Sequence, residues 1–229
     1  MISIIIPTFN EAAEIGKTLA GLKLLDGDAE IIVADGGSDD ATADIARSLG
    51  AIVIESPRGR GRQLHSAAQR SSGEVLWFVH ADSTLSQESL NEIRQALDDP
   101  SIVGGNFTLR FAGVSRPARF MTWFYRHIRK IGLFYGDSGI FVRRKAYERI
   151  GGFKPLRLFE DLDLVYRLRK IGKIVTLNEE ITTSSRRFES RTFLPVFVRW
   201  VAFQCFYWIG VSPRWMAENY HPETKNLHD

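Results

Sequence analysis

The stretch Ile2-Ser-Ile-Ile-Ile-Pro-Thr-Phe-Asn-Glu11 decides the fold. Its β-branched run, Ile2–Ile6, stops at Pro7 and is apolar on both parities, the pattern of a strand buried on both faces. Asn10 then reads as an N-cap, with Glu11 near the positive end of a helix dipole. Ile15, Leu19 and Leu22 continue at helical spacing. The alternation repeats. Glu30–Ala34 is a second strand, followed by Asp35-Gly-Gly-Ser-Asp-Asp40 and by a helix carrying Ala43, Ala46 and Leu49. Ala51–Glu55 is a third strand and Gly61–Ser71 a helix. Val75–Val79 is a fourth strand, and Leu90, Ile93 and Leu97 mark a helix that stops before Pro100. Strands separated by helices predict an α/β fold with a doubly wound, mostly parallel sheet.

Past Leu109 the pattern changes. An aromatic, basic stretch (Phe111–Phe134) precedes a strand at Gly139–Arg143, a helix near Phe159–Ile171 and two short strands near Ile174 and Ile181. Phe193–Val211 is a 19-residue apolar segment broken by Arg199 and Gln204. No Gly/Ser linker divides the chain. It reads as one domain, 1–229, with a lobe at 1–110, a smaller lobe at 111–190 and a helical tail at 191–229.

The 229 residues hold 30 Lys+Arg and 27 Asp+Glu, a net charge of +3 that conceals an asymmetry. Residues 1–100 hold 16 acids and 8 bases, whereas residues 101–229 hold 11 acids and 22 bases. Such asymmetry points to a polyanionic partner or a membrane surface. No nucleic-acid-binding motif accompanies the charge, so nucleic acid is set aside. At 44% hydrophobic and 25% charged, the composition excludes disorder, collagen and coiled coil. The lone Cys205 excludes a disulfide scaffold and suits a reducing, cytoplasmic compartment. Met1 to Thr8 has no basic n-region and too short an apolar run for a signal peptide.

In open parallel sheets ligands bind beyond the carboxyl ends of the strands. Here those ends carry Pro7, Thr8, Asn10 and Glu11; Asp35; the Arg58, Arg60, Arg62 and Gln63 loop; and His80, Ala81 and Asp82. Acids and bases together suit a phosphorylated ligand with a divalent metal. No phosphate loop or GxGxxG follows the first strand, which argues against P-loop ATPase and hydride-transfer chemistry.

Four motifs, in order, give the chain a resemblance. Ser3-Ile-Ile-Ile-Pro-Thr-Phe-Asn-Glu11, Val33-Ala-Asp-Gly-Gly-Ser-Asp-Asp-Ala-Thr42, His80-Ala-Asp82 and Glu160-Asp161 resemble the motifs of glycosyltransferase family 2 enzymes of the GT-A fold. A finer likeness is to a small bacterial subgroup associated with radical-SAM proteins. It rests on Arg62-Gln63, Phe78-Val-His-Ala-Asp82, Gly136-Asp-Ser-Gly139 and Ser185-Arg-Arg187. The resemblance implies sugar transfer from a nucleotide-sugar donor to an acceptor hydroxyl, with inversion.

It also implies roles. Pro7, Thr8, Asn10, Glu11, Asp35, Arg62, Gln63, Ala81 and Arg187 would bind the donor. Asp82 would hold Mn²⁺ or Mg²⁺, with His80 (where many members have Asp) as a second ligand. Asp161, beside Glu160, would take the acceptor proton. Asp163 should point elsewhere. Asp137 and Ser138 would contact the acceptor. Each also has a bland reading: a turn for Asp35, capping for Asp82 and Asp137, dipole pairing for Glu160 and Asp161, and a solvated basic face for the arginines.

Arg199 would cost roughly 2.5–3.5 kcal/mol at a bilayer centre, so the tail does not read as a span. It either packs on the domain or on a second copy of the chain, as a homo-oligomer, or lies in the inner membrane interface as a peripheral anchor. An anionic or lipid-linked acceptor follows from the basic half. Two other functions are carried as alternatives: a nucleotidyltransferase-like enzyme and a non-catalytic membrane-surface binding module.

Overall fold

The computed structural model describes residues 1–129, 135–184 and 193–220. Strands β1 (Ile2–Thr8), β2 (Ala29–Asp35), β3 (Ile52–Glu55) and β4 (Val75–Phe78) alternate with helices α1 (Ala12–Leu22), α2 (Thr42–Ser48) and α3 (Arg60–Arg70). Then come α4 (Ser89–Ala96), β5 (Ile102–Phe111), α5 (Arg116–Ile128), a 3₁₀ turn at Gly136–Ser138, β6 (Phe141–Arg143), α6 (Arg144–Arg149), α7 (Glu160–Arg169) and β7 (Lys173–Thr183). The tail forms α8 (Phe193–Trp208) and α9 (Pro213–Tyr220).

Among the described residues the sheet runs β3-β2-β1-β4-β6-β5-β7. All pairings are parallel except those of β6 with β4 and β5. That reversed strand matters. Trp77 pairs with Phe141, so the turn preceding β6 falls at the carboxyl edge of β4. The entry to one strand thereby reaches the edge where the other strands end.

Alternation along β1 splits the core in two. Ile2, Ile4 and Ile6 face one layer with α1, α4, α5 and Phe203 of α8. Ile5 faces the other, with Leu64 and Ala67 of α3, Tyr147 of α6 and Leu164, Val165 and Leu168 of α7. Each fully buried Ile contributes about 1.5–3 kcal/mol of hydrophobic stabilisation. The sheet is therefore apolar on both faces, as its strand sequences require.

Several expectations change. Asn10 is not the N-cap of α1: it has φ 55°, Glu11 is the flanking residue, and the Asn10 side chain is drawn to the next loop. Ile102–Phe111 is a long strand, where only the end of an α/β pattern was expected. The two short strands near Ile174 and Ile181 are one, β7. The expected strand at Gly139–Arg143 begins at Phe141, and α6 follows it directly.

Candidate active site

The loops after β1 and β2 are stitched together. Asn10 donates its N–H to Ser38 Oγ at 2.9 Å and accepts from the Asp39 N–H at 2.9 Å. Glu11 N–H donates to Thr42 Oγ1 at 2.8 Å, and Ala12 N–H to Asp40 at 3.1 Å. Asp35 is the hub, only 3% exposed. Its carboxylate accepts from the N–H groups of Gly37 and Ser38 and from the hydroxyls of Thr8 and Ser38. Burial works against its charge, but these hydrogen bonds outweigh burial and hold Asp35 below the ordinary carboxylate range. A carboxylate offers about four acceptor sites, so the turn consumes them. Gln63 is likewise consumed: its Nε2 donates to Thr8 O at 2.7 Å and Ala34 O at 2.8 Å. Both residues shape the site, tying the β1 and β2 ends. Beside them lies a cleft of about 710 Å³, lined by Asp35, Ser38, Asp40, Arg47, Glu55 and Pro57 among others. Pro7 sits partly buried at the same edge, and Arg58 lies over the Phe9 ring at 3.7 Å.

Beyond β4, the buried Ala81 accepts from Thr18 Oγ1 at 2.6 Å through its carbonyl. Asp82 is half-buried, and its Oδ1 accepts a long hydrogen bond of 3.4 Å from Thr183 at the end of β7. His80 Nε2 lies 2.6 Å from Arg60 Nη2 and 3.2 Å from Asp137 Oδ1. Arg60 can only donate and an ionised Asp137 can only accept, so the two contacts ask opposite roles of Nε2. Among the described residues no three His, Cys, Asp or Glu side chains cluster as metal ligands.

The acidic pair opens α7, as expected. Glu160 and Asp161 are 5% and 6% exposed. Asp161 Oδ2 accepts from Gly136 N–H at 2.7 Å, and its Oδ1 from Leu162 N–H at 2.7 Å. Arg60 Nη1 stands 3.3 Å from Glu160 and 3.8 Å from Asp161. Burial would lower the Arg60 pKa, but Glu160, Asp161 and Asp137 outweigh it and hold the guanidinium above its usual value. Burial pushes Glu160 up to about 7, against the pull of Arg60 and with the repulsion of Asp161. Asp163 points away, to Lys154 and Arg167. Phe159, just before the pair, has φ 62°. This left-handed conformation costs a non-glycine residue on the order of 1–3 kcal/mol and is held here by burial.

Of the three arginines after β3, Arg60 reaches the acids, whereas Arg62 is exposed. The helix starts one residue before the expected Gly61, which turns Arg60 inward; a spacing of alternate arginines carries no signal of that. The Gly136–Ser138 turn places Asp137 beside His80. Ser138, buried, accepts from Asn106 Nδ2 at 3.0 Å and donates to Tyr135 O at 2.6 Å, so it braces the turn. Arg187 lies outside the described residues. The tail packs inward: Phe197, Trp200 and Tyr207 join the core, and Gln204 meets Tyr135. Among the described residues no helix is long and apolar enough to cross a membrane.

Glycosyl transferase family 2 matches residues 3–151, more than half the chain. The chain belongs to glycosyl transferase family 2. Its relatives include a dolichyl-phosphate hexose transferase of Haloferax volcanii, 35% identical over 100 residues, 43% of each chain. The chain spans about half the length of the curated relatives it matches. Solved structures share the fold. A mannosyltransferase from Pyrobaculum calidifontis, in complex with GDP-Man and Mn²⁺, superimposes with TM-score 0.69 at 21% identity, covering 86% of this chain and 59% of that one. A Mycobacterium tuberculosis glucosyl-3-phosphoglycerate synthase, in complex with Mn²⁺, UDP and glucosyl-3-phosphoglycerate, gives TM-score 0.68 at 22% identity, covering 93% and 81%. Both likenesses show that this family 2 chain has the GT-A fold.

Proposed function

We propose that the chain is an inverting glycosyltransferase that moves a sugar from a nucleotide-sugar donor to an acceptor hydroxyl. The observation that carries this reading is the buried Glu160–Asp161 pair, facing Arg60, His80 and Asp137 at the edge where Asp82 also stands. The donor nucleoside fits the cleft between the β2 and β3 ends, shaped by Asp35, whose loop is tied by hydrogen bonds to Thr8, Asn10 and Glu11. The chain reads as one domain, with a donor lobe at 1–110, an acceptor lobe at 111–190 and the tail at 191–229.

Asp161 is the base. As the acceptor oxygen attacks the anomeric carbon, its proton passes to the Asp161 carboxylate. The carbon–oxygen bond to the acceptor forms while the bond to the diphosphate breaks, through an oxocarbenium-like transition state, and the nucleoside diphosphate leaves. Glu160 and Arg60 set the charge around Asp161, and Asp137 faces the acceptor.

A divalent ion fits Asp82. Such ions take one or two carboxylates and complete their shell with phosphates and water, so a site without a three-residue protein cluster suits them. Asp82 would hold Mn²⁺ or Mg²⁺ together with the donor, and the ion would supply charge neutralisation for the departing diphosphate. The solved complexes with Mn²⁺ support this choice. His80 serves placement, through Arg60 and Asp137.

The acceptor is anionic or lipid-linked, which the dolichyl-phosphate relative supports. The exposed apolar residues of the tail and the basic α5 then meet the inner face of a membrane.

The test is a thermal-shift panel of UDP, GDP and their sugars with and without Mn²⁺. We expect a nucleotide diphosphate to raise Tm with Mn²⁺, by mass action, and Asp82→Ala to reduce that shift. Equal binding in excess chelator contradicts the metal assignment. Release of pyrophosphate instead of a nucleoside diphosphate would favour nucleotidyl transfer.

A further inference from the structure

The tail is apolar between residues 193 and 211 except at Arg199 and Gln204. Arg199 is exposed and donates to Asn219 O at 2.9 Å. Gln204 is different: it is 4% exposed, among aromatic rings. Its Oε1 accepts from the Tyr135 hydroxyl at 2.5 Å, while its Nε2 has no partner among the described residues. An orphaned buried amide is costly, and leucine would suit the packing better. Gln204 therefore does something other than stabilise the core.

Its contact leads to the acidic pair. Tyr135 is also clamped by Trp200, with ring centroids 5.1 Å apart. The next residue, Gly136, donates its N–H to Asp161 Oδ2. Three residues on from Gln204, on the same helix face, Tyr207 packs on Phe159 at 4.8 Å. Phe159 is the left-handed residue that launches Glu160 and Asp161. One face of α8 thus grips both backbone segments that meet at Asp161. This helix lies outside residues 3–151, which the family match covers.

We infer that Gln204, through Tyr135, is a positioning residue that holds the Gly136 N–H on Asp161, and that α8 is part of the catalytic architecture. The inference rests on the function proposed above, in which Asp161 is the base. Small displacements of a positioned group cost rate, not binding.

The experiment compares Gln204→Leu, Tyr135→Phe and the double variant in the full chain. It assays UDP-glucose, UDP-N-acetylglucosamine and GDP-mannose turnover with Mn²⁺, Tm, and amide hydrogen exchange at Gly136. We expect Gln204→Leu to change Tm little, because it removes the orphaned amide but strands the Tyr135 hydroxyl, to leave donor KM within about two-fold and to lower kcat by about ten-fold or more. Tyr135→Phe should lose similar kcat but also Tm, because it strands the Gln204 carbonyl. The double variant should regain Tm without regaining kcat, and the two kcat losses should not multiply. Exchange at Gly136 should quicken about ten-fold in each, with β1 and β4 amides unchanged.

Unchanged Gly136 protection overturns the inference, as does kcat that follows Tm across the three variants. If the wild-type chain turns over none of these donors, the proposed function fails, and the Gly136 exchange still decides the coupling.

Discussion

The backbone N–H of Gly136 donates to Asp161 Oδ2 at 2.7 Å, across 25 residues of sequence and away from solvent. One reversed strand makes this possible. Because β6 runs against β4 and β5, the turn that feeds it arrives at the carboxyl edge. There it meets the head of α7, so a backbone N–H rather than a side chain holds the carboxylate of the proposed base.

Gly136 has no room for a side chain. A Cβ there would stand 1.7 Å from Arg60 Nη2 and 3.3 Å from Asp161 Oδ2. The guanidinium end is flexible, so Gly136→Ala is expected to fold but to push Arg60 off the acidic pair. Steady-state assays should show kcat lower by about 100-fold, the scale of a misplaced catalytic group. Full kcat with Arg60 displaced would mean that the pair does not need its counter-ion.

Glu160 gives a pH dependence with a definite sign. Its folded-state pKa is raised from 4.5 to about 7, mainly by burial. The folded chain therefore holds the proton more tightly than the unfolded one. The stability this contributes is fully present below about 4.5 and is lost as pH rises through about 7. Glu160→Gln stays neutral throughout. Urea midpoints should show the variant gaining on the wild type as pH rises across that window. A gap that does not change with pH would contradict the burial penalty.

The outer face of the tail carries Leu194, Val198, Trp208 and Ile209, all exposed, and α5 adds Phe120 and Trp123. Arg116, Arg119 and Arg126 of α5 are exposed beside them, and α5 has no acid. Flotation with phosphatidylglycerol vesicles is expected to recover the full chain, and added salt to release it. Trp123→Ser with Leu194→Ser should weaken recovery about ten-fold, as two apolar side chains lose their insertion. Equal recovery on phosphatidylcholine vesicles would contradict the electrostatic part.

What was legible follows from chain physics. Strands β1 to β3 are rich in β-branched residues and β4 is an apolar run, all between turn signals, so their existence and their succession along the chain could be read. Strand β5 could not, because Gly104, Gly105 and Asn106 break its apolar pattern. Those glycines answer to tertiary contact: a Cβ at Gly104 would stand 2.5 Å from Phe141 O, and one at Gly105 2.4 Å from Val175 O. Strand β7 read as two because Asn178, Glu179 and Glu180 interrupt it; there β5 and β7 slip in register.

The site divides the same way. Asp35, Asp82, Glu160 and Asp161 stand at ends of elements, and topology alone places them near one edge. Gln63 and Ser138 read as ligand contacts because spacing cannot tell which polar groups the backbone will consume. Arg60 was one of three alternating arginines until the start of α3 turned it inward. Gln204 looked like an interruption in an apolar helix, since its partner Tyr135 lies 69 residues away.

The central claim is that Asp161 takes the acceptor proton. Transfer by Asp161→Asn, measured beside Mn²⁺-dependent binding of the nucleoside diphosphate, tests it most directly. We predict that kcat falls by about 10²–10⁴-fold while nucleotide affinity stays within a few-fold of wild type. Wild-type turnover by Asp161→Asn, with nucleotide bound, would contradict the account.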